Sequence, residues 1–364
     1  MTLKRGKPDY SLLAVVLLLS AFGLIILYST SAYNGQVRFQ DPAYYLKKQI
    51  FATSLGIGAM YFVSRLDYHR LARLAVPAYL VSLALSGAVL LVGSSYNGSK
   101  RWLSLGPLSF QPAEYAKLAV ILLLSYLVST RKKSQGLGII FIVMGAVLPI
   151  VALVGTNNLS TAVIILGIAV ILIFVSNPKY LFFIWITLGG AGFMTIFLSM
   201  EQYRLERLAV WRDPENFEKG FQTIQGLYAI GSGGIFGKGF GQSMQKLGFV
   251  PEAQNDMIFS VICEEFGLAG AVLLIGAFVF LLWRFMVIAT RAADLFGSLL
   301  VSGIMGHIAV QVILNIAVVT NTIPNTGITL PFISYGGTSV LFLLSEMGLA
   351  LSVSQWQKEN FSIY

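Results

Sequence analysis

The chain has 364 residues, of which 56% are apolar and only 11% charged, against about 25% charge in a soluble domain. That balance excludes an ordinary soluble protein, and a single cysteine, Cys263, excludes an internal disulfide or a thiolate metal cluster. The formal charge of +9 fits loop lysines and arginines facing anionic headgroups rather than nucleic acid.

A membrane-spanning helix takes roughly 20 mostly apolar residues. Ten stretches qualify, centred near Ala21, Gly58, Leu83, Leu122, Val147, Ile168, Leu188, Ile275, Ala309 and Leu344. The first, over 11–28, is too long for the apolar core of a secretory signal and has no small-residue cleavage site after it. The predicted fold is an all-α polytopic membrane protein, one domain over 1–364, without tandem repeats or a separate soluble domain. The short connections sort by charge. Lys4, Arg5 and Lys7 precede the first span; Arg65, Arg70 and Arg73 follow the second. Arg131, Lys132 and Lys133 follow the fourth, Lys179 the sixth, and Arg284 and Arg291 the eighth. The turns near Asn157 and Asn325 are nearly uncharged. The positive-inside rule then puts both termini in the cytoplasm. It places 93–113, a large loop over about 200–256 between spans seven and eight, and 320–337 outside.

In chain order, "KRWLSLGPLSFQPAEYAKLAV" comes first. Pro112 suits the first helical position, and Glu114 then stands where a capping box has its acid, although Gln111 is a poor partner for one. Lys117 lies three residues on, on the same face. An ion pair lining an outer cavity fits as well as a cap. In "YRLERLAVWRDPENFEKGFQTIQ", Arg204, Arg207 and Arg212 flank an amphipathic pattern with Leu205, Leu208 and Trp211. That reads as an interfacial helix or as a bidentate pyrophosphate contact. The stretch "YAIGSGGIFGKGFGQSMQKLGF" fails the phosphate-loop pattern. Ser232 stands where the first glycine belongs and Gly239 where the hydroxyl belongs. What remains is a glycine-rich turn that brings backbone close to something, with Lys238 and Lys246 nearby.

"PEAQNDMIFSVICEEFGLAG" gathers Glu252, Asp256, Glu264 and Glu265 before an apolar run. A charge at the bilayer centre costs at least about 2.5–3.5 kcal/mol, so the span is expected to begin after the last of these, near Phe266. Asp256 reads as a helix N-cap or as a cavity carboxylate. Ser260, Cys263 and Gly267 share its helical face. In the ninth span His307, Gln311 and Asn315 recur every four residues as a polar stripe, either interhelical glue or cavity lining. The other histidine, His69, is predicted on the cytoplasmic side, so no histidine metal site is expected. "TIPNTGITLPFISYGGTS" carries Pro324 and Pro331. Irregular backbone of this kind survives at membrane depth only where protein buries it or it lines water. Glu346, in the tenth span, is a mid-bilayer acid with no partner evident from the sequence.

These segments resemble the SEDS family (shape, elongation, division, sporulation) of bacterial peptidoglycan glycosyltransferases. The likeness runs through "KPDYSLLAVVLLLSAFGLIILYSTSA", then Arg101, Trp102, Gln111, Pro112, Glu114 and Lys117 of the "RWI…QPSE…K" motif. It continues almost without gaps from Tyr203 to Gly270 and ends in "GITLPFISYGGTSV". "PEAQND" and "GITLPFISYGGTS" resemble the division and sporulation branch (FtsW and SpoVE) more than the elongation branch (RodA). The resemblance implies polymerisation of lipid II at the outer face of the bacterial cytoplasmic membrane, with Asp256 as general base. It implies substrate contacts at Glu114, Lys117, Arg101, Trp102, Arg204, Arg207, Lys238, Gln311, Asn315 and Ser334. Among these, Arg204, Arg207, Lys117 and Arg101 would stabilise the leaving pyrophosphate. No metal ligand cluster shows; a divalent cation (Mg or Mn) is an optional aid to the pyrophosphate. The implied partner is a class b penicillin-binding protein transpeptidase. A lipid II flippase or a non-catalytic scaffold for the transpeptidase would use the same membrane domain. The chain departs from the family at "TNNLSTA", where Asn157 and Asn158 replace a usual Pro-Asp, and at Asn325 and Glu346. Asn158 can hydrogen-bond but cannot act as a base. Single cysteines placed at Asn97, Asn216 and Asn325 are expected to label from outside intact cells; labelling only from the cytoplasm would reverse the orientation.

Overall fold

The computed structural model describes residues 5–96, 99–105, 108–131, 137–176, 190, 192 and 202–356. Among the described residues eight helices are long and apolar enough to cross a membrane. They are α1 (Tyr10–Phe39), α3 (Tyr68–Val92), α4 (Pro112–Thr130), α5 (Leu137–Gly155), α6 (Leu159–Ser176), α9 (Ile258–Arg291), α10 (Leu295–Val319) and α11 (Gly337–Ser354). The more polar α2 (Tyr44–Arg65) is also of spanning length and corresponds to the second predicted span. The seventh predicted span, near Leu188, lies outside the described residues. The polytopic helical fold is as expected, and α7 (Gln202–Arg212) and α8 (Phe221–Ser232) shape the large loop.

One element departs from the all-α reading. The 93–113 connection folds as a small antiparallel sheet, β1 (Ser94–Tyr96), β2 (Ser99–Leu105) and β3 (Leu108–Phe110), in that order. Ser94 pairs with Trp102 and Leu103 with Phe110. The Arg101 guanidinium donates to the Asn157 carbonyl at 2.7 Å, and Thr338 donates to Ser109 O at 3.0 Å. The sheet is thereby fastened to the α5–α6 turn and to the start of α11.

Small residues set the helix packing, as expected where apolar burial gives little drive between helices. A Cβ on Gly56 of α2 would sit 2.6 Å from Leu344, and one on Gly348 of α11 would sit 2.6 Å from the Met60 carbonyl. At the end of the bundle where α1 begins, three aspartates cap helices. Asp9 accepts from Leu12 N (2.8 Å), Asp67 from His69 N (3.0 Å) and Asp294 from Gly297 N (2.7 Å).

The glycine-rich turn finds its close approach against protein. Helix α9 is interrupted at Gly267, whose φ of 66° and ψ of −164° are non-helical. The break frees backbone groups that the turn pairs. Lys238 N and Gly239 N donate to the Glu264 and Glu265 carbonyls at 2.9 and 3.0 Å, and Leu268 N and Ala269 N donate to Gly234 O and Ile235 O, each at 2.9 Å. A Cβ on Gly237 (φ 79°) would lie 2.2 Å from the Glu265 carbonyl.

The same region corrects the expected start of the eighth span. The helix begins at Ile258, so Glu264 and Glu265 lie within it and are fully buried. Lysines from the turn neutralise them: Lys238 meets Glu264 at 2.7 Å and Lys246 meets Glu265 at 2.7 Å. Ser243 and Lys246 have the Ser-x-x-Lys spacing of a transpeptidase nucleophile, but each is occupied here. Ser243 donates to Glu264, and Lys246 also reaches Ser29 at 2.8 Å.

Left-handed backbone costs a non-glycine residue on the order of 1–3 kcal/mol, and here a Cβ would also meet backbone. Gly237→Ala and Gly267→Ala are therefore each expected to lower the melting temperature of the purified protein. Gly58→Ala, where a Cβ meets nothing within 4 Å, should leave it unchanged or raised. Equal behaviour of the three variants would contradict the docked-loop account.

Candidate active site

The helices and the small sheet enclose a cavity of about 1440 Å³. The sheet brings Arg101 and Trp102 to its wall, the start of α4 brings Glu114 and Lys117, α7 brings Arg207, and α10 brings Gln311. Asp256 lines it two residues before α9. Phe51, Leu55, Ile164 and Val210 add apolar wall. The cavity is thus amphiphilic, with cations and acids beside hydrocarbon.

Asp256 is held from behind. Asn315 Nδ2 donates to the Asp256 carbonyl at 2.8 Å and to the Ile328 carbonyl at 2.6 Å. Ser334 Oγ donates to the Asn255 carbonyl at 2.6 Å and accepts from Leu330 N at 2.8 Å. Neither Asn315 nor Ser334 lines the cavity; both fix the backbone that carries the acid. The helix N-cap is Met257, with no side-chain cap bond, so the N-cap reading of Asp256 fails. The residue is 8% exposed, and its carboxylate accepts a long contact from Gln222 Nε2 at 3.4 Å. Burial, with Glu252 nearby, pushes its pKa up to about 7; Arg207 and Gln222 pull the other way.

The capping-box reading of Glu114 fails as well, since Gln111 caps α4 without a side-chain bond. The ion-pair reading holds: Lys117 Nζ lies 3.1 Å from Glu114, and both residues are buried. Lys117 also donates to Gln311 Oε1 at 3.1 Å. Each residue of the ninth span's polar stripe makes hydrogen bonds, and Glu346 gains a partner in His307 at 2.8 Å. Asn158 accepts from Thr161 N at 3.2 Å, capping α6 from the cavity wall.

One expected contact stands apart, and one lies outside the described side chains. Lys238 is committed to Glu264 and does not line the cavity. Arg204 falls on α7, and its side chain lies outside the described residues. Arg207 donates to the Asn325 carbonyl at 3.1 Å, which holds α7 to the α10–α11 connection. Trp211 Nε1 does the same at Asn321 O, at 3.0 Å. Sequence reasoning missed Lys47 and Lys48, which line the cavity from the first turn of α2. Lys47 pairs with Asp41 at 2.8 Å, and Lys48 donates to Tyr44 OH at 2.6 Å. Their signal was available: two lysines stand at the predicted outer end of a span, against the positive-inside rule.

The chain is similar to known proteins along nearly its whole length. The cell cycle protein family that groups FtsW, RodA and SpoVE matches residues 9–359. Stage V sporulation protein E of Bacillus subtilis (strain 168) is 39% identical, across 98% of this chain and 100% of that protein. A probable peptidoglycan glycosyltransferase FtsW of Trichlorobacter lovleyi is 35% identical, across 96% of this chain and 94% of its own length. Among solved structures, a chain of a peptidoglycan synthase complex that coordinates polymerization and crosslinking superposes with a TM-score of 0.82 at 30% identity, covering 97% of this chain and 99% of that one. The crystal structure of the Thermus thermophilus rod shape determining protein RodA gives a TM-score of 0.72 at 29% identity, covering 96% and 98%. Matched along nearly its whole length in sequence and in fold, the chain belongs to the FtsW, RodA and SpoVE family of cell cycle proteins, the SEDS proteins its motifs resemble.

Proposed function

We propose that the protein is a peptidoglycan glycosyltransferase that polymerises lipid II, an undecaprenyl-pyrophosphate disaccharide-pentapeptide. The reaction takes place at the outer face of the bacterial cytoplasmic membrane, with both termini cytoplasmic. The observation that carries the reading is a buried carboxylate, Asp256, tuned to about 7 on the wall of a cationic and apolar cavity. A general base works best when its pKa lies near the operating pH. The sugar 4-hydroxyl of the acceptor gives its proton to Asp256, and its oxygen attacks the anomeric carbon of the lipid-linked donor strand. Undecaprenyl pyrophosphate leaves from the opposite face, with inversion. One base suffices, and no covalent sugar intermediate is needed. Arg101, Lys117 and Arg207 face the leaving pyrophosphate, joined by Lys47 and Lys48 at the wall.

Among the described residues no group of three or more His, Cys, Asp or Glu is placed to hold a metal ion. Magnesium is commonly bound through one or two carboxylates plus substrate phosphates; with Asp256 serving as the base, Glu252 on the cavity wall would be the carboxylate to share such an ion with the pyrophosphate. The proposed partner is a class b penicillin-binding protein transpeptidase. It is supported by the similarity to a chain from a complex that couples polymerization to crosslinking.

The test is polymerisation by purified protein with lipid II in liposomes. Asp256→Asn keeps the shape and removes the base, and the loss of a general base typically costs about 10²–10⁴ in rate. Glu114→Gln and Lys117→Met are expected to be smaller lesions, acting through the field of the cavity. Wild-type rate should rise with pH through about 7 as Asp256 loses its proton. A near wild-type rate for Asp256→Asn would remove the base assignment, and lipid movement without polymer would favour a flippase.

The folded carboxyl titrates above its ordinary 3.8, so ionising it costs the folded state stability as pH rises from about 4 to about 7. Asp256→Asn escapes that cost. Its melting temperature should exceed that of the wild type, and by more at pH 8 than at pH 5. A lower melting temperature at pH 8 would mean that the carboxylate stabilises the fold.

A further inference from the structure

His307 and Glu346 take no part in the chemistry above, yet both are buried within spanning helices, 1% and 0% exposed. An ionisable group at such depth is expensive and normally functional. Among the described residues Glu346 Oε1 has no hydrogen-bond partner, so the contact of Oε2 with His307 Nδ1 at 2.8 Å is what makes its burial tolerable.

The hydrogen bonds fix where the protons are. Gln311 Nε2 donates to the Thr329 carbonyl at 3.0 Å. Its Oε1 therefore faces Lys117 Nζ at 3.1 Å and His307 Nε2 at 2.9 Å. An amide oxygen only accepts, so His307 Nε2 carries a proton. Nδ1 then faces a carboxylate oxygen, and one further proton must lie between them, on the ring or on the acid. In either form the pair is neutral. The charged groups facing it are Glu114 and Lys117 of α4; α6 and the 320–336 connection contribute no charged residue.

We propose that His307 and Glu346 are positioning residues for Lys117. Glu346 locks the histidine as an Nε2–H donor, that donor fixes the Gln311 carbonyl oxygen, and this oxygen together with Glu114 holds the Lys117 ammonium at the cavity wall. The functional part of this inference rests on the polymerase reading, in which the ammonium faces the charge that develops on the leaving pyrophosphate.

The chain has two histidines, so selective 15N-histidine labelling of the full-length protein in nanodiscs resolves both rings, with His69→Gln giving the assignment. In the wild type His307 Nε2 should carry a proton. Glu346→Gln can donate to Nδ1 and should keep that tautomer. Glu346→Leu cannot, and should give a tautomer mixture. An unprotonated Nε2 in the wild type would overturn the proposal. With lipid II, Glu346→Gln should stay within about twofold of wild type. Glu346→Leu and His307→Leu should lose about tenfold in kcat with KM little changed, as for one charge-assisted hydrogen bond made in the transition state. Equal losses for Glu346→Gln and Glu346→Leu, matched by equal losses of melting temperature, would mean a purely structural pair and overturn it. An inactive wild type would instead sink the polymerase reading, and the ring measurement would still decide the pairing.

Discussion

Removing one partner from a buried ion pair costs about 3–5 kcal/mol, because a buried charge is left without compensation. That constraint organises the interior of this protein. Glu114, Glu264, Glu265 and Glu346 are all buried, and each has a lysine or histidine nitrogen within 3.1 Å. Asp256 is the exception. Among the described residues no cation lies within ion-pair distance of it, and the group that weighs on it most after burial is another acid, Glu252. The fold pairs Glu114, Glu264, Glu265 and Glu346 with lysine or histidine partners and leaves Asp256, buried at the cavity wall, without one among the described residues.

The structure supports that exception by indirect means. Asn315 and Ser334 bind backbone carbonyls beside Asp256 and leave its side chain alone. The acid is therefore held in place without being discharged, and its electrostatics and its geometry are set by separate residues. Gln311 works similarly one turn below Asn315, presenting an oxygen to Lys117 while its nitrogen is tied to the 320–336 connection.

What could be read from the sequence was local. Glu114 and Lys117 are three residues apart on one helix, so their pairing follows from helical spacing. His307, Gln311 and Asn315 share a face for the same reason. The missing parts depend on distant segments. His307 and Glu346 are 39 positions apart on different helices, and helical spacing is silent on which helices meet. Glu264 and Glu265 were expected outside the span because a lone acid there is too costly, and their lysines arrive from a turn upstream. The glycine-rich turn announced a close approach without its target, since nothing local marks Gly267 as a helix break. The sheet at 93–113 was missed because β1 and β3 are only three residues each, too short for strand periodicity to show. Arg101 and Trp102 were found through motif resemblance alone.

The break at Gly267 divides α9 into a short piece next to Asp256 and a long piece that runs on through the bundle. Helical hydrogen bonds would normally weld such pieces into one rod. Here Leu268 and Ala269 bond to Gly234 and Ile235, so the joint belongs to the loop as much as to the helix. The angle between the pieces is then a property of residues 233–239, far along the chain from the acid it aims. Descendants of this sequence can retune that angle by altering the loop, while the lipid-facing helix, and whatever docks against it, stays as it is.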